Sequence, residues 1–457
     1  MFKQILALAA LAGFSVGLPA EEKSVQTQLD DLKAEVELIK HTYEPAEPVE
    51  QIKQVTEWVS PTGELFTEPQ KDNVSPTDGA PLTERVTYRK MKFSRRELVS
   101  EKIDAAINSS VNGHVVVGLS MVGVYQNIVG AGDTLDALGS TRSANRGAGT
   151  GQVDLNFAGK PMRDTILFLD LNAGVGPGLD ALAANSAGLN PNYLSGSGNP
   201  AVREAWVAIH TPRKDYGLQA GVIDLSGIFD TNLVANDETG QFLTGAFVNS
   251  PILAPPANSL GALFRADFTR WNFKIAAQNA NPGAPATGVT DDVCSIAELG
   301  FRYNLFGDSQ WRIWARQQPH GSGQPDQAVG LSMDQRITPK LNGFVRYAKQ
   351  GYIEAYDSTT DTRIALNTND WAASGGLELG NLWAQHAKDR VGLAYGRNRA
   401  QNGDAEDFSE AYYKAVLTPG FTVSVHGQGI FSRVQGALAT DALPNIFALG
   451  LRTQVSY

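Results

Sequence analysis

The chain has 457 residues, a formal net charge of −10, 42% hydrophobic and 19% charged residues, and 1 cysteine. The acidic balance argues against nucleic acid as a partner, and a lone Cys294 excludes an intramolecular disulfide and a Cys/His zinc cluster. Beyond residue 20 no stretch is apolar for long enough to span a membrane as a helix, but alternating strands escape that test because their lumen residues dilute the hydropathy.

The N-terminus reads as an address. Lys3 supplies a positive start, 5–16 an apolar run, and Ala20 a small residue before Glu21 and Glu22, which predicts a signal peptide over 1–20. No cysteine stands at that junction, so a lipid anchor is not expected. In 21–43, Val25, Leu29, Leu32, Val36, Ile39 and Tyr43 step by four and three, an a/d seam. It predicts a heptad helix that either self-associates as a coiled coil or lies on its own protein. Residues 44–93 carry EPAEP, SPTGE, TEPQ and SPTDGAP and read as an extended linker. A short helix is expected over 94–112, where Ser94 and Glu97 have capping-box spacing. The basic RKMKFSRR around its start suits phosphate or cell-wall carboxylates, or is a solvated helix start.

From 113 to 457 alternating runs of about ten residues recur, long enough to cross a bilayer when tilted. They lie at 114–126, 150–158, 164–173, 202–211, 215–224, 259–268, 271–279, 293–304, 309–318, 327–337, 340–350, 370–379, 389–399, 408–417, 420–431 and 445–457. Their connections alternate between short turns, several with Thr-Pro, and long loops, as periplasmic turns and extracellular loops do in outer-membrane barrels. One face of the runs is almost free of charge: Val115, Val117 and Leu119, for example, or Leu167, Leu169 and Leu171. The other carries Asp154, Asp170, Glu204, Trp206, Arg265, Asp267, Lys274, Glu298, Arg302, Arg312, Arg316, Arg336, Arg346, Arg390, Glu410 and Lys414, the predicted pore lining. A Lys or Arg facing lipid at mid-depth costs about 2–4 kcal/mol, so the charged face belongs inside. Tyr216, Phe268, Trp271, Tyr303, Trp311 and Phe421 fall near the short turns, as an interfacial girdle requires. The expected fold is therefore all-β, an antiparallel transmembrane barrel of about sixteen strands in the bacterial outer membrane. The N-terminal helical extension would then be periplasmic.

The longest loop, 225–258, holds Phe229, Phe242 and Phe247, which are poorly placed in open water. It is the predicted constriction, with Asp230, Asn236, Asp237, Glu238 and Phe242 as its candidate residues. The lumen charges are mixed in sign, which implies weak ion selectivity. Trp206, Trp314 and Tyr412 offer faces for sugar rings or pack against the loop.

The motifs in this region resemble the carbohydrate-selective porin family. They are E-x-W at Glu204 and Trp206, AGVIDLSGIFDTN at 220–232, NDETGQFL at 236–243, DRVGLAYGR at 389–397, SEAYYKAVLTPGFTVSVHGQG at 409–429 and ALGLRTQVSY at 448–457. The resemblance implies a sixteen-stranded porin passing sugars and other small solutes, with 225–258 folded into the lumen. A branch of that family carries a different N-terminal domain and is tied to inorganic ions, so an ion-uptake porin is an alternative.

No H-E-x-x-H or G-x-S-x-G is present, and no catalytic residue, metal ligand or cofactor is expected. The expected partners are the lipid bilayer, small hydrophilic solutes and further copies in a homotrimer, with peptidoglycan or other envelope contact through the N-terminal region. A second function class is a structural barrel that tethers the envelope.

Overall fold

The computed structural model describes residues 51–91 and 115–456 with interruptions; 1–50, 92–114, 180–187, 191–198, 281–291, 320–325, 381–387, 435–441, Tyr457 and some shorter pieces lie outside the described residues. The predicted signal peptide, heptad helix and 94–112 helix all fall outside them.

Sixteen strands close into one barrel. They are Val115–Ile128 (β1), Gly147–Met162 (β2), Thr165–Val175 (β3), Ala201–His210 (β4), Tyr216–Ile223 (β5), Ser259–Asp267 (β6), Trp271–Asn279 (β7), Val293–Asn304 (β8), Asp308–Gln318 (β9), Asp326–Arg336 (β10), Leu341–Gln350 (β11), Asn369–Gly380 (β12), Arg390–Ala400 (β13), Ala405–Thr418 (β14), Phe421–Phe431 (β15) and Ile446–Ser456 (β16). Each pairs antiparallel with its neighbours in sequence, and β16 closes on β1, with Leu451 opposite Tyr125. Closure removes every free edge of the sheet. All of the predicted runs become barrel strands, with ends shifted by a few residues.

The period of two sets which face is which. In β7 the side chains of Trp271, Phe273 and Ile275 are exposed, while Asn272, Lys274 and Ala276 between them are buried. This inverts a soluble protein: large apolar side chains cover the outside, and charged ones fill the inside. At the end with short connections the outward aromatics touch in series. Tyr216 meets Phe264 and Phe268, Trp271 meets Phe301 at 4.5 Å, and Trp311 donates to the Tyr303 hydroxyl at 2.7 Å. The Thr-Pro turn at 338–339 is fastened by Thr338, whose hydroxyl accepts from the Lys340 and Leu341 amides at 3.2 and 3.0 Å. Pro339 sits where no amide donor is needed.

The span expected to be a linker carries paired structure, which corrects that expectation. Gln51–Val59 pairs antiparallel with Thr83–Met91 along its whole length, and Leu65–Phe66 adds a third strand. The prolines that made 44–93 read as extended chain lie at 45, 48, 61, 69, 76 and 81, all outside the paired runs. Composition averaged over the segment hid two short β-prone stretches between them. Three long connections likewise carry small hairpins, Glu354–Asp357 with Thr362–Ala365 among them.

Candidate functional site

The connection from β5 to β6, residues 224–258, lies against inward side chains of strands around much of the barrel. It is irregular apart from one helical turn, Gly245–Val248. Backbone without internal pairing must find donors and acceptors elsewhere, and the barrel wall supplies them. Arg346 of β11 is the hub. Its guanidinium donates to the carbonyls of Asp230 (2.8 Å), Ala235 (2.7 Å), Val248 (2.9 Å) and Phe247, and pairs with the Asp230 carboxylate at 3.0 Å. The same carboxylate accepts from the Ser250 amide at 2.7 Å and from the Trp314 indole at 3.2 Å. Asp230 holds a left-handed backbone, φ 56°, at this focus.

Further wall residues grip the loop on both sides of the hub. Glu298 of β8 accepts from the Asp230 amide at 2.8 Å and pairs with Lys274 of β7 at 2.6 Å; Lys274 also donates to the Ile228 carbonyl. Arg316 of β9 donates to the Leu253 and Ala254 carbonyls at 3.2 and 3.3 Å, and pairs with Asp326 at 2.5 Å. Across the barrel, Glu410 of β14 accepts from the Leu243 and Thr244 amides, each at 2.8 Å, and pairs with His426 at 2.7 Å. Lys414 donates to the Gly240 carbonyl at 2.7 Å, and Arg452 of β16 to those of Glu238 and Gln241 at 2.7 and 2.9 Å. Phe229, Phe242 and Phe247 of the loop are wholly buried. Phe242 packs on Phe247, Phe344 and Tyr412 at 5.3, 6.1 and 4.9 Å between ring centres.

The predicted lining residues thus divide into groups. Lys274, Glu298, Arg316, Arg346, Glu410 and Lys414 hold the loop. Arg302 pairs with Asp267 at 2.7 Å, Arg312 with Asp334 at 2.8 Å, and Arg265 with His210 at 2.8 Å, within the wall. Arg390 stands 3.8 Å from Glu378, which also accepts from Tyr412 at 2.8 Å. Trp206, Trp314 and Tyr412 are all buried in clusters that include loop side chains, so the packing alternative holds for all three aromatics. Arg336 is exposed at the end of β10. Of the loop candidates, Phe242 is core. Asp237 caps a single turn by accepting from the Thr239 amide and hydroxyl at 2.8 and 2.6 Å, and the Asn236 amide donates to Gln241 at 2.8 Å.

A third group lines the wall at β2–β4. Asp154, Asp170, Glu204 and Trp206 gather there around Arg203, whose guanidinium lies 3.6 Å from Asp154, 4.0 Å from Asp170 and 3.9 Å from Asp224. Trp206 packs on Phe168 at 4.9 Å and donates to Glu204 at 3.0 Å. Sequence alternation missed Arg203, because it assigns residue 203 to lipid. The register of β3 on β4 slips there: Asp170 faces Glu204 and Leu171 faces Val202, which leaves Arg203 as the extra residue of a bulge. The adjacent charges of Val202-Arg203-Glu204 were the available signal. On the loop side Glu238 lies within electrostatic reach of Arg203; its own burial first, and then Asp237, raise its carboxyl to about 7.

Among solved structures, this chain is similar to the high-pH structure of Pseudomonas putida OprB. The two superpose with a TM-score of 0.60 at 13% identity, over 75% of this chain and 94% of that one. This chain has the outer-membrane porin fold. The outer membrane channel DcaP of Acinetobacter baumannii matches 75% of this chain and 97% of its own at 10% identity, with a TM-score of 0.48. A protein of Aquifex aeolicus (strain VF5) described as uncharacterized is 24% identical over 261 residues, 57% of this chain and 70% of its own. No family model matches the chain.

Proposed function

We propose that the protein is an outer-membrane porin, a water-filled channel through which small hydrophilic solutes diffuse, with 224–258 as its constriction. The observation that carries this reading is the tethering of the loop to wall residues on opposite sides of one closed barrel, Lys274 and Arg346 on one side and Glu410 and Arg452 on the other. A loop so held would narrow the lumen. On the inner face of the β2–β4 wall, half-buried Arg203 and Glu204 stand with the buried carboxylates of Asp154 and Asp170, and these are the polar groups we assign to the solute. Carboxylates beside a guanidinium suit sugars, whose hydroxyl groups both donate and accept hydrogen bonds.

Removing most of the loop from the full chain and joining its ends with a short Gly/Ser linker tests the constriction. Single-channel conductance in planar bilayers should rise severalfold, and block by added sugars should weaken. Unchanged conductance would place the narrowing elsewhere, and a barrel that conducts nothing before or after deletion would sink the channel reading.

A further inference from the structure

The outward face of the barrel is not uniformly apolar. Among the described residues, the charged members of the outward register are Lys349 on β11, Arg397 and Arg399 on β13, and Asp407 on β14. All of them fall in one sector, at the end of the barrel where β11 runs into 351–368 and β13 turns into β14 through 401–404. Lys349 lies opposite Trp371, and Trp371 opposite Arg399, in one row across three strands. In the next row Arg397 lies opposite Asp407. Everywhere else this register is apolar or uncharged.

The charges are built in. Arg397 meets Asp407 side-on, Nε to Oδ1 at 2.6 Å and Nη2 to Oδ2 at 2.7 Å, and the Tyr395 hydroxyl donates to the same carboxylate at 2.6 Å. Arg399 and Lys349 are exposed, and Lys349 stands 4.0 Å from Asp370 at a bulge of β12. The rings of Tyr347 and Trp371 stack at 6.4 Å between the cations. Trp and Tyr mark the depth of lipid headgroups, and below them the outward positions turn small and apolar at Ala373 and Gly375.

We propose that this sector binds the phosphorylated headgroup of an outer-leaflet lipid, with Lys349, Arg397 and Arg399 facing the phosphate and the acyl chains lying on the small residues beneath. Charge complementarity selects the occupant. Cations placed on a lipid-facing surface need an anion at headgroup depth, and a guanidinium fork matches phosphate oxygens. Asp407 holds Arg397 in place, which leaves Arg399 and Lys349 as the adaptable contacts. The proposal rests on the outer-membrane placement.

The full chain is reconstituted in nanodiscs that contain bis-phosphorylated lipid A, or the same lipid with its phosphates removed. Lipid retained per barrel is then read by native mass spectrometry. The wild type should keep the phosphorylated form about tenfold better. The K349Q/R399Q variant, which leaves the Arg397–Asp407 pair intact, should lose that preference, and R336Q at the opposite end of the barrel should keep it. Equal retention of both lipids, or full retention by the double variant, would overturn the proposal. Displacement by excess inorganic phosphate would overturn the assignment to a lipid headgroup. A changed crosslinked oligomer with unchanged lipid retention would make the sector a contact between copies instead. Single-channel conductance of the double variant should match wild type, which keeps this result separate from the channel reading.

Discussion

At the scale of single residues, Arg346 is the side chain on which the loop most depends. It is buried, and so is Asp230. Removing one partner of a buried pair leaves a charge without compensation, at a cost of about 3–5 kcal/mol. Arg346→Met should therefore lower the thermal denaturation temperature and open 224–258 to trypsin, and the double variant R346M/D230N should recover part of the loss. Lysine at 346 should not restore the wild type, because a point charge cannot reach several carbonyls in different directions. Wild-type protease resistance in R346M would refute the hub. Glu238 gives a pH dependence. Its folded carboxyl titrates near 7, raised from an ordinary 4.5. Between those values the folded loop holds a proton that an unfolded chain has released, so this group's contribution to stability is fullest at low pH. It is lost as pH rises through about 7. Over the same range the passage gains a negative charge, and the reversal potential in a salt gradient should move toward cation preference. E238Q should flatten that movement; an unchanged pH profile in the variant would assign it to another group.

At the scale of elements, the strands explain themselves by alternation, whereas the loop is stable only through what surrounds it. The N-terminal heptad is the element whose role rests on sequence alone. Our reading is that residues 21–43 support a trimer by bringing three short seams together at high effective concentration. Crosslinking the full-length protein against a version lacking 21–43 should show fewer trimers in the truncated form, and a charge at Leu32 or Val36 should act like the deletion. The same oligomer with the same detergent resistance in both would remove the assembly role, and with it the main support for an envelope tether.

At the scale of the whole molecule, the charge that matters to a solute is what remains after the fold has used its own. Counting inward residues gives a lumen of mixed sign and predicts weak selectivity. Yet Lys274, Arg316, Arg346, Lys414 and Arg452 are engaged by loop carbonyls, while Asp154, Asp170, Glu204 and Asp224 share one nearby cation, Arg203. The expected result is a modest cation preference, a permeability ratio of roughly a few to one, weakened by salt. D170N/E204Q should reduce it. Anion preference in the wild type would show that the clamping cations still face the solute.

The sequence by itself determined the barrel. A two-residue period with charge confined to one face admits one placement of sixteen strands, since an Arg or Lys at mid-bilayer is too costly to face lipid. It also marked the loop, because Phe229, Phe242 and Phe247 had to be buried somewhere. Only the tertiary structure decided which lumen charges clamp the loop and which gather around Arg203. Loop carbonyls carry no signature of residue type, so nothing in the order of residues assigns Arg346 to Asp230, 116 positions away. Arg203 was hidden for a related reason: a bulge breaks the alternation that sequence reading depends on. Periodicity is a local property that side chains impose on their own strand. Contacts across a closed lumen depend on where distant strands meet, and closure of the barrel sets that.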